Sequence, residues 1–218
     1  MNQRIIEIAG MVKQGMVTAD IGTDHAQLPV LLIREGIADK AYACDIGEGP
    51  LSMAAENVRN AGLQDRIGVI LSDGFEHVPE DTQCAVIAGM GCQTAIGILE
   101  RAEERLPELE QIIVQVNTDV PVFRAWLSGR RYTVEAEKLI RDHGHDYIAL
   151  SFTCADHEPY SEQEILCGIR LAHDEAYAHF AAKQISTLEF ILSKRKERDP
   201  QLEHQLELWK DAYHKAAA

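Results

Sequence analysis

Residues 16 to 25, Met16-Val17-Thr18-Ala19-Asp20-Ile21-Gly22-Thr23-Asp24-His25, constrain the fold more than any other stretch of the chain. An apolar run ends in an acid and a glycine, and a helical pattern opens near Pro29. A first β-strand hands a loop to a nucleoside-bearing ligand in this way, at the carboxyl edge of a parallel sheet. The loop carries Asp20 and Asp24 rather than a run of glycines. Carboxylates repel a pyrophosphate and attract a ligand that bears a cation. Taken alone, the same punctuation also serves a plain βα turn in which Gly22 only supplies a permissive backbone.

The following strands narrow the choice. Lys40-Ala41-Tyr42-Ala43-Cys44-Asp45 reads as a second strand ending in a carboxylate, the place from which an acid accepts hydrogen bonds from both ribose hydroxyls. Leu71-Ser72-Asp73-Gly74-Phe75 closes a third strand with another acid, placed to read an adenine amino group. Acids at successive strand ends point to S-adenosylmethionine, with its sulfonium and ammonium groups. A nicotinamide dinucleotide competes for the same second-strand acid, but Gly22-Thr23-Asp24-His25 lacks the glycine-rich phosphate fingerprint.

The pattern as a whole predicts an α/β fold, a seven-stranded Rossmann-like sheet with a helical hairpin at its end. Strands are expected at Met16–Ile21, Lys40–Asp45, Arg66–Leu71, Gln83–Ala88 and Gln111–Val116. Two more, Tyr132–Leu139 and Tyr147–Phe152, would form a hairpin across Asp142-His143-Gly144. Helices are expected at Leu28–Glu35, at about Pro50 to Asn60, at Gln93–Arg105 and at Val120–Leu127. From about Ser161 onward the strand signal ends. Ala178, Ala181, Ile185, Leu188 and Leu192 recur at helical spacing, and Leu202, Leu206, Trp209 and Tyr213 do so after the break at Asp199-Pro200. Two antiparallel, coiled-coil-like helices are the natural arrangement. The division expected is a cofactor-binding catalytic domain over 1–155 and a helical domain over 156–218.

Several function classes are excluded or weakened by composition. A net charge of −14 argues against a general affinity for polyanions. No apolar run approaches a membrane span, and no cationic-then-apolar segment opens the chain, so a cytoplasmic protein is expected. The five cysteines are scattered without a C-x-x-C pair and read as buried thiols of a reducing compartment rather than disulfides or metal ligands. His143 and His145 beside Asp142 and Asp146 lack a third ligand, and no metal is expected. The oligomeric state stays open, with a monomer the default.

Four strings then align with a known family: Ala19-Asp20-Ile21-Gly22-Thr23-Asp24-His25-Ala26-x-Leu28-Pro29, Asp45-x-x-x-Gly49-Pro50, Asp73-Gly74 and Ile87-Ala88-Gly89-Met90-Gly91. In order and spacing they resemble the bacterial tRNA (adenine(22)-N1)-methyltransferases, and the helical tail is similar to that family's coiled-coil domain. The resemblance implies a class I methyltransferase fold, S-adenosylmethionine as donor with S-adenosylhomocysteine as product, and methylation of adenine N1 in the D-loop region of tRNA. Carried over by position, the cofactor residues would be Asp20, Gly22, Asp45, Ile46, Asp73, Gly74, Ala88, Gly89 and Met90. Asp24, His25 and Gly91 would be catalytic. Two positions depart from the family pattern: Cys92 replaces a glycine, and Val116, between Gln115 and Asn117, replaces a proline. Both bear on the substrate more than on the cofactor.

The chemistry asked of these residues is modest. Adenine N1 is unprotonated near neutral pH, so positioning does much of the work and no strong base is needed. Asp24 could stabilise the positive charge that develops on the purine, or instead cap the helix near Pro29. His25 could orient the base or move a proton, or be structural. Tyr147 and Tyr160 are the candidates for stacking on the base. A base inside folded tRNA must leave its stack, which requires a grip on the backbone. The basic turn Lys194, Arg195, Lys196 and Arg198, at the expected hairpin tip, is the candidate RNA contact. A small-molecule methyltransferase and a non-catalytic S-adenosylmethionine-binding protein are the alternatives.

Overall fold

A computed structural model describes residues 2–216. Seven strands form one sheet in the order β3-β2-β1-β4-β5-β7-β6, with only β7 antiparallel to the five strands before it in that order. The strands are β1 (Thr18–Ile21), β2 (Ala41–Asp45), β3 (Ile67–Leu71), β4 (Cys84–Met90), β5 (Gln111–Val116), β6 (Tyr132–Asp142) and β7 (His145–Cys154). The helices α1 (Gln3–Ala9), α2 (Gln27–Arg34), α3 (Glu48–Ala61), α4 (Cys92–Arg101) and α5 (Val120–Ser128) are interleaved with them. Short α6 (Glu162–Cys167) precedes the antiparallel pair α7 (Tyr177–Lys194) and α8 (Pro200–Ala216). The expected seven-stranded, Rossmann-like architecture with its terminal helical pair is the one observed.

The central strands are buried on both faces, which explains their continuous apolar character: Cys84, Ala85, Val86 and Ile87 have no exposure at all. Strand order reverses at the adjacent parallel pair β1 and β4, so the connections leaving their carboxyl ends turn to opposite sides. A crevice opens at this point in doubly wound folds. The last two strands run longer than the sequence pattern indicated. Their turn, His143-Gly144, has both residues left-handed (φ 47° and 81°), the geometry that suits a two-residue hairpin and extends the ladder to Asp142↔His145.

Three local expectations are corrected. The helix expected over Gln93–Arg105 stops at Arg101, and a separate 3₁₀ turn occupies Leu106–Glu108. An amino-terminal helix, α1, was not expected; it is only seven residues long, capped by Asn2, whose Oδ1 accepts the Arg4 backbone N–H at 2.9 Å. Asp24 does not cap α2: the cap position is Ala26, with no side-chain hydrogen bond.

The helical tail packs as part of the same body. Phe123, Phe152, Cys167, Leu171, Tyr177, Ala181 and Trp209 belong to one buried cluster. A buried ion pair pins its base: Arg124 Nε donates to Glu137 Oε1 at 2.7 Å, with side-chain exposures of 1% and 0%. Arg124 Nη1 also donates to the carbonyls of Ile165 and Leu166, and Glu137 Oε2 accepts the N–H groups of Arg170 and Leu171. The pair thus satisfies backbone groups around α6 that would otherwise be stranded.

Candidate functional site

The carboxyl ends of β1, β2 and β4 surround a crevice of about 310 Å³ lined by Gly22, Asp45, Ile46, Asp73, Gly74 and Met90. Two backbone devices shape it. The Gly22 and Thr23 N–H groups both donate to the Cys44 carbonyl, at 2.8 and 2.9 Å, folding the loop tightly over the end of β2. Gly22 sits at φ +77°, and a Cβ there would overlap Met90 Cε. Only glycine meets both conditions.

Each acidic strand end has a distinct environment. Asp20 is 6% exposed and accepts a 2.6 Å hydrogen bond from Thr23 Oγ1. Burial pushes its carboxyl up to about 7, against the Thr23 bond that lowers it, and the negative charges of Asp24 and Asp45 push the same way as burial. Asp45 Oδ1 takes the Gly47 N–H at 2.7 Å, leaving Oδ2 for a hydroxyl donor. Beyond it Ile46 is 69% exposed, an apolar side chain at the rim with no protein cover. Asp73 lends Oδ1 to Arg101 Nη2 at 2.8 Å. Arg101 was not foreseen; it reaches the crevice from the last turn of α4.

The crevice fits a nucleoside that carries a cationic tail. Carboxylates with spare acceptor oxygens stand at two adjacent strand ends, the exposed Ile46 offers an apolar cover, and the neighbouring loop is acidic. The Gly22 and Thr23 N–H groups are taken up by the Cys44 carbonyl and so do not form a nest for a pyrophosphate.

The Ala88-Gly89-Met90-Gly91 string forms a bulged strand end. The ladder between β4 and β5 shifts register between Ala88 and Met90, and Gly89 (φ +77°) is the residue left unpaired. Gln115 and Asn117 complete its bonding. Gly89 N–H donates to Gln115 Oε1 at 3.1 Å, Asn117 Nδ2 donates to the Gly89 carbonyl at 2.8 Å, and Asn117 N–H donates to the Met90 carbonyl at 2.8 Å. Val116 between them is 1% exposed and paired in the sheet. Cys92, the other departure, is buried at the start of α4, where burial raises its thiol pKa. It packs instead of lining the opening.

Asp24 and His25 stand on the opposite lip. His25 and Ala26 are consecutive non-glycine residues with φ of 57° and 56°, a costly turn that holds Asp24 outward. The Asp24 side chain is 69% exposed, and its Oδ1 is 3.2 Å from His25 Nε2. Asp24, Asp20, Gly22 and Ala88 line a small recess together with Arg4 from α1. Tyr160 is excluded as a base-stacking group, because its hydroxyl accepts the Val134 N–H and its ring stacks on His157. Tyr147 is half-buried and lines a groove of about 520 Å³ between the sheet edge and α7–α8.

Lys194, Arg195, Lys196 and Arg198 lie at the exposed end of the helical pair, as expected. Two of the four charges are matched: Arg195 pairs with Asp199 and Arg198 with Glu203. Lys194 lies over the Phe190 ring. Among the described residues no group of three or more His, Cys, Asp or Glu converges as metal ligands would, and no helix is long and apolar enough to cross a membrane.

Comparison with known proteins gives a consistent set of similarities. A family model for a methyltransferase domain matches residues 1–150. The tRNA (adenine(22)-N(1))-methyltransferase of Bacillus subtilis is 31% identical over 185 residues, covering 84% of this chain and 76% of that protein. Streptococcus pneumoniae Sp1610, solved in complex with S-adenosyl-L-methionine, superposes with a TM-score of 0.87 at 29% identity, over 98% of this chain and 100% of that one. TrmK of M. capricolum, solved with S-adenosyl-homocysteine, gives a TM-score of 0.80 at 27% identity, over 100% of this chain and 98% of that one.

Proposed function

The chain belongs to the tRNA (adenine(22)-N1)-methyltransferase family, and from that membership we propose that it methylates N1 of adenine 22 in tRNA at the expense of S-adenosylmethionine. The observation that carries the reading is the single crevice in which Asp45 and Asp73, at adjacent strand ends, open beside the bulged Gly89-Met90-Gly91 turn. Asp45 would hold the ribose hydroxyls, Asp73 the adenine amino group, and Ile46 the adenine face. Asp20 and the loop at Gly22 would receive the cationic amino-acid end. The donor supplies an electrophilic methyl group on a sulfonium, and the adenine supplies a lone pair that is already free near neutral pH.

The protein's share is placement and charge. Gln115 and Asn117 hold the Gly89 turn, whose glycines let a planar ligand approach the backbone, a better match to a flat ring nitrogen than to a clamped amine. Asp24, exposed and with Oδ1 3.2 Å from His25 Nε2, would offer its carboxylate to the positive charge that builds on the ring. Lys194 and Lys196 at the end of the helical pair would contact the tRNA backbone at a distance from the crevice. The crevice is complete within one chain, so a single copy is the working unit in this reading, acting in the cytoplasm where tRNA is modified.

The test is transfer of labelled methyl from S-adenosylmethionine to an unmodified tRNA transcript and to its A22G counterpart, followed by nucleoside analysis. Labelled 1-methyladenosine from the first and none from the second is the expected result. Equal labelling of both, or labelling of a small-molecule pool in place of tRNA, sinks it.

A further inference from the structure

Arg4 is a cation in an acidic place with most of its hydrogen-bonding capacity unspent. It projects from α1 into the recess lined by Asp20, Gly22, Asp24 and Ala88. Among the described residues its one side-chain hydrogen bond runs from Nη1 to Asn117 Oδ1 at 3.4 Å, longer than the usual range of about 2.7 to 3.2 Å. No carboxylate lies within 4.0 Å of its guanidinium among the described residues, whereas Lys13, Lys40, Arg66, Arg101 and Lys138 all have one. The guanidinium lies over the Tyr147 ring, 5.1 Å from its centroid. That contact aims the side chain without consuming its donors.

Arg124 offers a contrast, since the fold takes up its Nε and Nη1 and leaves only the buried Nη2 without a partner among the described residues. It is 1% exposed, with Nε and Nη1 engaged by one carboxylate and two carbonyls. Arg4 is only half-buried and is held at its root, not at its tip. Ile8 and Ala9 anchor α1 in the core at 1% exposure each, and Glu7 ties the helix to β6 through Lys138 at 2.7 Å. A short helix pinned this firmly presents Arg4 at a fixed point beside the Gly89 turn, whose hypothetical Cβ would lie 3.6 Å from Arg4 Nη2.

The crevice poses an electrostatic problem that Arg4 can solve. Asp20, Asp24, Asp45 and Asp73 attract a cationic donor and equally repel an RNA backbone. A nucleotide drawn out of its stack must nevertheless bring its phosphate to this rim. A guanidinium with a free fork is the side chain suited to grip a phosphodiester through paired charge-assisted hydrogen bonds.

We propose that Arg4 is the phosphate contact of the target nucleotide, a positioning residue that holds the extruded adenosine over the Gly89 turn. This rests on the RNA-methylating reading above and adds the local anchor that the distant lysines cannot supply.

The experiment measures binding of unmodified tRNA by anisotropy across a potassium chloride series for wild type, Arg4→Gln and Arg4→Lys, with S-adenosylmethionine affinity measured in parallel. Loss of one phosphate contact should weaken tRNA binding by Arg4→Gln about tenfold and make the salt slope shallower by about 0.7 to 0.9. Arg4→Lys, which keeps the charge but loses the fork, should retain the slope with intermediate affinity. Cofactor affinity should stay within about twofold in both if Arg4 serves the RNA and not the amino-acid end of the cofactor, which Asp20 and Gly22 would receive in the same recess. Unchanged tRNA affinity and slope in Arg4→Gln overturn the proposal. So does a loss of cofactor affinity with the tRNA slope intact, which would make Arg4 a mere brace for the Gly89 turn. Failure of wild type to methylate tRNA defeats the functional reading instead, so the two failures are distinguishable.

Discussion

Cofactor binding should be coupled to the protonation of Asp20, and the size of the coupling follows from the burial of that one carboxyl. Asp20 is 6% exposed, and burial lifts its pKa to about 7 in the free protein. A cationic ligand beside it favours the carboxylate, so its pKa falls on binding and a proton leaves. At pH 6 only about one carboxyl in eleven is ionised, and at pH 7.5 about three in four. Affinity should therefore rise about eightfold between pH 6 and 7.5, with about half a proton released per cofactor at pH 7. The α-amino group of the cofactor itself titrates at about 7.7–8.0, which is why the comparison stops at 7.5. Titration calorimetry in buffers of different ionisation enthalpy reads both quantities, and Asp20→Asn subtracts every other titrating group. The sign for stability is opposite. The folded state holds a proton that the unfolded chain, with an ordinary carboxyl near 3.8, has released, so the stability of the free protein falls as pH rises from about 4 to about 7 and then levels. The cost has a ceiling of about 4 kcal/mol, and Asp20→Asn should raise the melting temperature at pH 8 while weakening the cofactor. A flat affinity between pH 6 and 7.5, or the same pH slope in Asp20→Asn, refutes the coupling.

Four further outcomes are expected. Gly22→Ala, at φ +77° and against Met90, should lose about 1 to 2 kcal/mol of stability and weaken cofactor binding by more than tenfold; calorimetry and thermal melts read these together. Asn117→Ala removes the donor to the Gly89 carbonyl, so kcat should fall about tenfold or more with cofactor Kd nearly unchanged, and an equal loss in both would assign Asn117 to binding instead. Glu137→Gln breaks the buried pair with Arg124 and should cost about 3 to 5 kcal/mol, seen as a drop of roughly 10 °C in Tm. Lys194→Glu with Lys196→Glu should weaken tRNA binding and flatten its salt dependence without touching cofactor affinity; Arg195 and Arg198 are poorer probes because Asp199 and Glu203 already engage them.

What the sequence made legible is what local pattern encodes. Buried strands declared themselves by apolar runs, and Asp45 and Asp73 stood out because an acid closing such a run has no packing reason to be there. The Gly22 loop was readable because glycine punctuates a tight turn. The remainder depends on contacts between distant residues. Gln115 and Asn117 could be noticed as a string, but their work is done on Gly89, 26 and 28 residues away. Arg4 sits in a helix too short for periodicity to reveal, and its meaning comes from Tyr147 on the distant strand β7. The matched charges at Arg195 and Arg198 were equally hidden, since a basic run does not announce its counter-ions. Helix α4 stops early for a tertiary reason too: Leu106 turns inward, fully buried, through the separate 3₁₀ turn.

The unbroken apolar seam from Phe152 through Tyr177 to Trp209 has a mechanical corollary. An arm welded at its root cannot swing on a hinge to find its ligand, so the span from its far end to the crevice works as a fixed gauge. If the lysines at that end do meet the tRNA as proposed, a nucleic acid would be accepted when its own shape matches that gauge, and discrimination between folded RNAs would become a matter of length and angle before any base is touched.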